Sequence, residues 1–496
     1  MVDLDTDACY RALVARDRRF DGRIFVGVRT TGVYCRPVCP ARTPNRENVS
    51  FYSTAAAAAQ AGFRACLRCR PETSPEVGAW RGASNTVSRA LSMIEAGALD
   101  AGGVEDLAGR LGVGGRQLRR LFDQHLGVSP LDVAQTRRVH LAKQLLHETT
   151  LPMAQVAFAA GFGSVRRFNE TFHDLYHRPP ADLRRIGAAP AGRADGVTLT
   201  LGYRPPYDGD AMLGFLAARA IPGVETVSKG VYRRGIAIGD DAGALAVSRA
   251  SGDRLKVHIR FPRLSALPEI LARTRRVFDL AAHPAAIADH LARDPALAPL
   301  VAARPGLRVP GAWDGFELAV RAILGQQISV AAAVKLAGRI VAEHGEPLPQ
   351  AFQAPGLSRT FPSPERLAAA DLSGLPMPGA RIRALSSIAA ASAADPALFG
   401  PRARLEDAIA ALRALPGIGE WTAQYIAMRQ LREPGAFPAA DVGLMRALAG
   451  RDGVRPTAAD LLARAEAWRP WRAYAALHLW AADTATLEKS DARHAA

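Results

Sequence analysis

Residues 415–430 read LPGIGEWTAQYIAMRQ. Gly417-Ile418-Gly419 predicts a tight turn between Leu415 and a helix starting near Trp421. Glycine at both ends of such a turn lets backbone N–H groups approach an anion, such as a DNA phosphate, at a helix N-terminus. A lone Gly-x-Gly is a weak signal. It gains weight from Asp441 in FPAADVGLMRAL, 22 residues beyond Gly419, a carboxylate at the start of the next helix that also reads as an ordinary N-cap. Trp421 and Tyr425 are i and i+4 on one helical face, and Trp480 closes WRPWRAYAALHLW. Aromatics so spaced serve either a core or a ligand pocket.

Around this stretch, residues 263–490 are mostly helical, with a Pro-rich loop at 345–364. Before it, VTLTLGYRPPY, GVYRRGIAIG, ALAVSRA and RLKVHIRF alternate as strands do, with one helical stretch at Ala211–Ala220, giving an α+β unit over 197–262. AAPAGRADG, at 188–196, reads as a linker. Residues 84–187 are helical throughout, and 1–78 form a small cysteine-bearing unit. The fold class expected is multidomain and mainly α.

Composition agrees with several domains. A chain of 496 residues exceeds one core. It has no apolar run long enough for a bilayer, and MVDLDTDACYRALVARD lacks a signal core, so a cytoplasmic protein without a membrane partner is expected. The formal charge is +16 and arginine far outnumbers lysine. Guanidinium forks suit phosphate, which makes nucleic acid the leading partner, although a GC-rich genome also raises arginine.

Residues 84–187 contain a repeat. Ala108 and Gly112 in DLAGRLGV return as Ala157 and Gly161 in QVAFAAGF, each copy followed by a basic helix. This predicts two helix-turn-helix units with recognition helices near Gly115–His125 and Ser164–Tyr176. They present Arg116, Gln117, Arg119 and Arg120, then Arg166, Arg167 and Asn169. A generic helical bundle is the plainer alternative.

All five cysteines lie in the first seventy residues. Cys35-x3-Cys39 and Cys66-x2-Cys69 supply two pairs suited to one tetrahedral zinc. Spacing alone fits a structural zinc. The arginines of GVYCRPVCPAR, 32–42, suggest more, because a zinc-bound thiolate stays nucleophilic at neutral pH and basic residues hold DNA over it.

Three resemblances follow from these residues. RTTGVYCRPVCPARTPNRENVSFYSTAAAAAQAGFRACLRC resembles the N-terminal domain of the Ada adaptive-response family, which accepts methyl from DNA methylphosphotriesters. That likeness implies Cys35 as acceptor, Cys39, Cys66 and Cys69 completing a single zinc site, and Thr31, Arg42 and Arg64 as DNA contacts. Cys9 lies outside the motif and reads as an incidental thiol. The doubled turns resemble the AraC-type DNA-binding domain. Residues 197–485, including FELAVRAILGQQISVAAAVKLAGRI, resemble the AlkA-type 3-methyladenine DNA glycosylase, with a TBP-like α+β subdomain before the helix-hairpin-helix domain.

The glycosylase likeness implies Asp441 as the catalytic carboxylate and Trp421, Tyr425 and Trp480 as the base pocket. Gly417 and Gly419 would contact DNA, and Gln326 and Gln327 would stand at the wedge that fills the gap left by a flipped base. A leucine occupies the wedge in the best-known member, and Gln327 departs from it. Trp421 stands where strand-cutting relatives carry lysine, so a monofunctional enzyme is expected, without an iron–sulfur cluster. Ada's second active site needs a Pro-Cys-His-Arg cysteine, and no cysteine follows Cys69. The expected protein is a monomer combining methyl acceptor, regulator and glycosylase, acting on alkylated duplex DNA and promoter sites, with RNA polymerase as a further partner and the nucleoid as its location. The rival is a transcription factor whose C-terminal half is a non-catalytic DNA clamp.

Overall fold

The structure is a computed structural model that describes residues 5–74, 85–184, 196–400, 404–449 and 453–494. The linker read at 188–196 lies outside them except for Gly196, as does the end of the first unit beyond residue 74.

Four strands form the first sheet: β1 (Phe25–Val28), β2 (Val33–Cys35), β3 (Val49–Tyr52) and β4 (Arg64–Ala65), in the order β3-β1-β2-β4. Only β2 and β4 pair in parallel, with Tyr34 opposite Ala65. This register sets Cys35, the last residue of β2, and Cys66, the residue after β4, at the same end of the sheet. The helix Ala55–Gln60, capped by the Thr54 side chain on the Ala57 N–H, covers one face.

The two predicted helix-turn-helix units are present as Val104–Arg110 with Gly115–Leu126, and Met153–Ala159 with Val165–Tyr176. The repeat has a physical reason. Ala108 and Ala157 are fully buried, and Gly112 and Gly161 turn the chain at φ +70° and +90°, a region that penalises any side chain. Between the units runs the helix Pro130–Glu148, opened by a Ser129–Asp132 capping box.

The second sheet is wholly antiparallel, with β5 (Val197–Gly202), β6 (Glu225–Ser228), β7 (Val231–Ile238), β8 (Asp241–Ala250) and β9 (Arg254–Arg260) in the order β5-β9-β8-β7-β6. Its helix is Gly209–Ala218, two residues earlier than the apolar spacing suggested, because the Asp208 side chain caps it on the Ala211 N–H. The remaining chain is a helical domain around one large core that includes Phe316, Ile323, Ile426, Trp468 and Leu479. The loop at 345–364 docks on the second sheet: Gly235 has no room for a Cβ, because the Arg359 carbonyl would lie 2.3 Å away.

Packing crosses the units. Leu145, Phe168 and Phe172 share a core with Leu199, Val257 and Leu271. On the helix Pro130–Glu148, Lys143 is fully buried, pairs with Glu72 at 2.8 Å and donates to the Cys66 carbonyl. Burial works to raise the Glu72 carboxyl, yet Lys143, His140 and Arg70 hold it down to about 2. Glu148, at the far end, takes Arg70 at 2.8 Å and accepts from the Thr200 backbone N–H on β5 at 2.8 Å. This helix is therefore a beam with the first sheet at one side and the second at the other. A further buried pair, Arg89–Glu433, ties the helix Asn85–Glu95 to the helical domain.

Candidate functional sites

The four sulfurs of Cys35, Cys39, Cys66 and Cys69 lie within 4.8 Å of one another. Tetrahedral Zn–S bonds of about 2.3 Å place sulfurs about 3.8 Å apart, so the cluster has the right dimensions. Its charge demands a cation as well. Contacts among the thiols drive Cys66 far down and Cys35 and Cys69 far up, with burial adding to the rise, so without a metal the group holds some protons. A single zinc ion bound by the four thiolates removes that conflict.

The four thiols are equally buried, at 7–8% exposure, so burial does not single out an acceptor. Amide contacts differ among them. The Arg36 N–H donates to Cys69 Sγ and the Arg68 N–H to Cys66 Sγ, both at 3.4 Å, and the Ala41 amide acts on Cys39. Among the described residues, no backbone donor reaches Cys35 Sγ. Such bonds stabilise a thiolate and lower its nucleophilicity. Thr31 and Arg42 are exposed and Arg64 is half-buried. Cys9 is 3% exposed in the helix Thr6–Val14, apart from the cluster.

Both recognition helices turn their arginines outward. Arg116, Arg119, Arg120, Arg166, Arg167, Gln117 and Asn169 are all exposed, while Leu118, Phe122, Phe168 and Phe172 face the core. Arg119 pairs with Glu105 at 3.0 Å and Arg166 with Glu170 at 2.7 Å. Exposed pairs of this kind are weak and exchange readily for phosphate.

In the helical domain, Leu405–Arg413 and Glu420–Arg429 flank the Gly417–Gly419 turn. Gly417 sits at φ +80° with Ala384 Cβ 2.4 Å from where its own Cβ would be. Gly419 faces open space at the N-terminus of the second helix. Asp441 caps the helix Val442–Ala447 through the Leu444 N–H at 3.1 Å, so the plain N-cap reading holds. It is also more than a cap. Trp421 Nε1 donates to Asp441 Oδ2 and Trp480 Nε1 to Oδ1, each at 2.8 Å. Three neutral donors orient the carboxylate without cancelling its charge. Gly443 makes room for this, since a Cβ there would press on Asp441 Oδ1 and Trp480.

Trp421 stacks on Tyr425 with ring centroids 5.0 Å apart and planes 12° apart. Tyr425 is a ring already engaged. Arg429 lies 5.1 Å from its centroid and donates to its hydroxyl. Burial pushes the Tyr425 phenol up, but Arg429 and Arg219 beside it bring it below its ordinary value. Sequence reading missed Arg219 and the indole bonds to Asp441, which tertiary packing brings together, and also Arg429, although it stands i+4 from Tyr425 on the same helix. Gln326 donates from Nε2 to the Gly417 carbonyl at 3.0 Å and so braces the hairpin, while Gln327 is exposed.

A hairpin between helices, a carboxylate held beside stacked aromatics and an antiparallel subdomain together define a DNA glycosylase architecture, here joined to a thiolate metal site and a helix-turn-helix reader. Residues 8–72 match the metal binding domain of Ada, 107–186 a helix-turn-helix domain, 198–314 the AlkA N-terminal domain and 320–473 the HhH-GPD superfamily of base excision DNA repair proteins. A probable bifunctional transcriptional activator/DNA repair enzyme AlkA of Mycobacterium tuberculosis is 42% identical over 96% of both chains. DNA-3-methyladenine glycosylase 2 of Escherichia coli is 40% identical over 57% of this chain and 96% of its own. A 3-methyladenine DNA-glycosylase from Archaeoglobus fulgidus shares the fold, with a TM-score of 0.51 and 23% identity over 57% of this chain and 98% of that one. The chain belongs to the family of bifunctional transcriptional activator/DNA repair enzymes that fuse Ada-type and AlkA-type units. Among the described residues, no helix is long and apolar enough to cross a membrane.

Proposed function

We propose that this chain is an alkylation-damage sensor and a monofunctional glycosylase that releases alkylated purines of the 3-methyladenine type from duplex DNA. The observation that carries the reading is Asp441, gripped by two indole N–H groups and one amide beside a glycine hairpin. An alkylated purine is cationic and leaves readily, taking the electron pair of the C1′–N bond as its charge is neutralised. The developing sugar cation is stabilised by the fixed Asp441 charge, water adds to C1′, and the strand stays intact. Trp421, on its Tyr425 backing, offers an electron-rich face to the cationic ring. Gly417 and Gly419 present backbone to a phosphate.

In the first unit, zinc supplies one thing: it keeps the sulfurs ionised. Cys35 Sγ attacks the methyl carbon of a phosphotriester, the S–CH3 bond forms, the CH3–O bond breaks, and a phosphodiester anion leaves. Thr31, Arg42 and Arg64 hold the backbone there. One unit of negative charge disappears from the site, which lowers its repulsion of DNA and strengthens binding by Arg116, Arg119, Arg120, Arg166 and Arg167 at promoter sites. RNA polymerase is the partner such a regulator addresses. The protein acts as a monomer at the nucleoid in the cytoplasm. Intact mass after exposure to methylated DNA, together with assay of free bases, tests both chemistries. A methyl on Cys35 and released 3-methyladenine are expected; absence of either product would overturn the corresponding half of the reading.

A further inference from the structure

Gln327 is a non-glycine residue at φ +59°. That region is costly for a side-chain-bearing residue and persists where surrounding structure enforces it. Here the neighbouring Gln326 is pinned to the Gly417 carbonyl, and the exposed Gln327 side chain meets Arg381, whose guanidinium donates to Gln327 Oε1 at 3.1 Å. Arg381 belongs to the helix Gly379–Ala394, and among the described residues this is the one hydrogen bond of its side chain.

The pairing fixes which way the amide points. Arginine only donates, so the Gln327 oxygen must face it and the NH2 must face away. The free edge of the pair then offers donors only: the Gln327 amide N–H groups and the remaining Arg381 N–H groups. We propose that Gln327 and Arg381 together read the base left opposite the extruded nucleotide and favour cytosine over thymine. This rests on the glycosylase reading, with Gln327 as wedge. An orphaned cytosine presents adjacent acceptors, N3 and O2, which a donor pair satisfies. An orphaned thymine puts its N3–H donor between two acceptors, and a donor-only edge leaves that group unpaired, which costs binding. A leucine wedge fills the same space and has no such preference. The chemical consequence is a bias toward lesions derived from guanine, whose partner is cytosine.

Binding of the full-length protein to duplexes carrying a tetrahydrofuran abasic analogue opposite either cytosine or thymine tests this directly, since neither duplex has a pair to break. About tenfold tighter binding opposite cytosine is expected, equivalent to about 1.4 kcal/mol. Arg381→Ala and Gln327→Leu should each bring the ratio near one while retaining most affinity. Equal wild-type affinity for the two duplexes, or a ratio that survives both substitutions, overturns the proposal. Release of 3-methyladenine is scored separately. Its absence with the cytosine preference intact would remove the glycosylase reading and leave the opposite-base reader standing.

Discussion

The indole N–H of Trp480 meets Asp441 Oδ1 at 2.8 Å, joining the last described helix to the start of the helix Val442–Ala447. Trp480 therefore aims the carboxylate, whatever else its ring does. Trp480→Phe keeps an aromatic face and removes the donor. A hydrogen bond to a charged group contributes about 1.5–3 kcal/mol, so single-turnover base release should slow about tenfold or more, with DNA affinity nearly unchanged. A Phe variant as fast as the parent would show that the indole bond does not support catalysis.

Asp441→Asn should be more severe, about a hundredfold or more in rate. The shape is kept but the charge is gone. The new amide also has one NH2, so it cannot accept from both Trp421 and Trp480 as the carboxylate does, and one indole loses its partner. Base release and duplex affinity measured side by side check this; parallel loss of both would mark Asp441 as a purely structural cap.

Much of this site was legible because its signals are short-range. The Cys35/Cys39 and Cys66/Cys69 pairs, the Ala108/Gly112 and Ala157/Gly161 turns and the Gly417–Gly419 hairpin each express a local backbone requirement, and each element lies where spacing placed it. Directions of long side chains were not legible. Trp421 and Trp480 are expected to stack on a base, and nothing in their spacing says that their ring nitrogens also grip Asp441. Gln326 is expected beside Gln327 at the wedge, and its spacing gives no sign that its amide also braces the hairpin. The Glu72–Lys143 and Arg89–Glu433 pairs join distant segments through tertiary packing that no periodicity encodes.

Cys35→Ser should abolish methyl uptake from methylphosphotriester DNA and leave base release intact, as read by intact mass and free-base assay. Cys9, buried 3% exposed and with its thiol held up chiefly by burial, should carry no label. A methyl found on Cys9 would contradict the argument that ionisation by the cluster selects the acceptor.

Lys143→Met tests the beam between units. It leaves Glu72 as a buried carboxylate short of its main partner, a change that costs about 3–5 kcal/mol when one member of a buried pair is removed. The double variant Glu72→Leu with Lys143→Met removes both charges and should recover most of that loss. Urea denaturation followed by circular dichroism distinguishes the two. A single variant as stable as the parent would mean that the pair does not couple the first unit to the helix Pro130–Glu148.

Acid should weaken the helical domain through His478, which is 5% exposed in the helix Arg472–His494. Burial, then Arg304, holds its imidazole down to about 4. In the unfolded chain the same group titrates near 6.5, so between those values the unfolded state takes a proton that the folded state refuses. Stability from keeping His478 neutral is complete above pH 6.5 and is lost as pH falls toward 4, by roughly 3 kcal/mol in all. His140, also depressed to about 4 by burial, contributes a second slope of the same sign. Replacing His478 alone by glutamine leaves the His140 slope in place, so the difference between parent and variant urea midpoints from pH 7 to 4.5 isolates His478. The parent should lose stability faster than His478→Gln across that window. Parallel curves would show that the folded protein accommodates the charged imidazole.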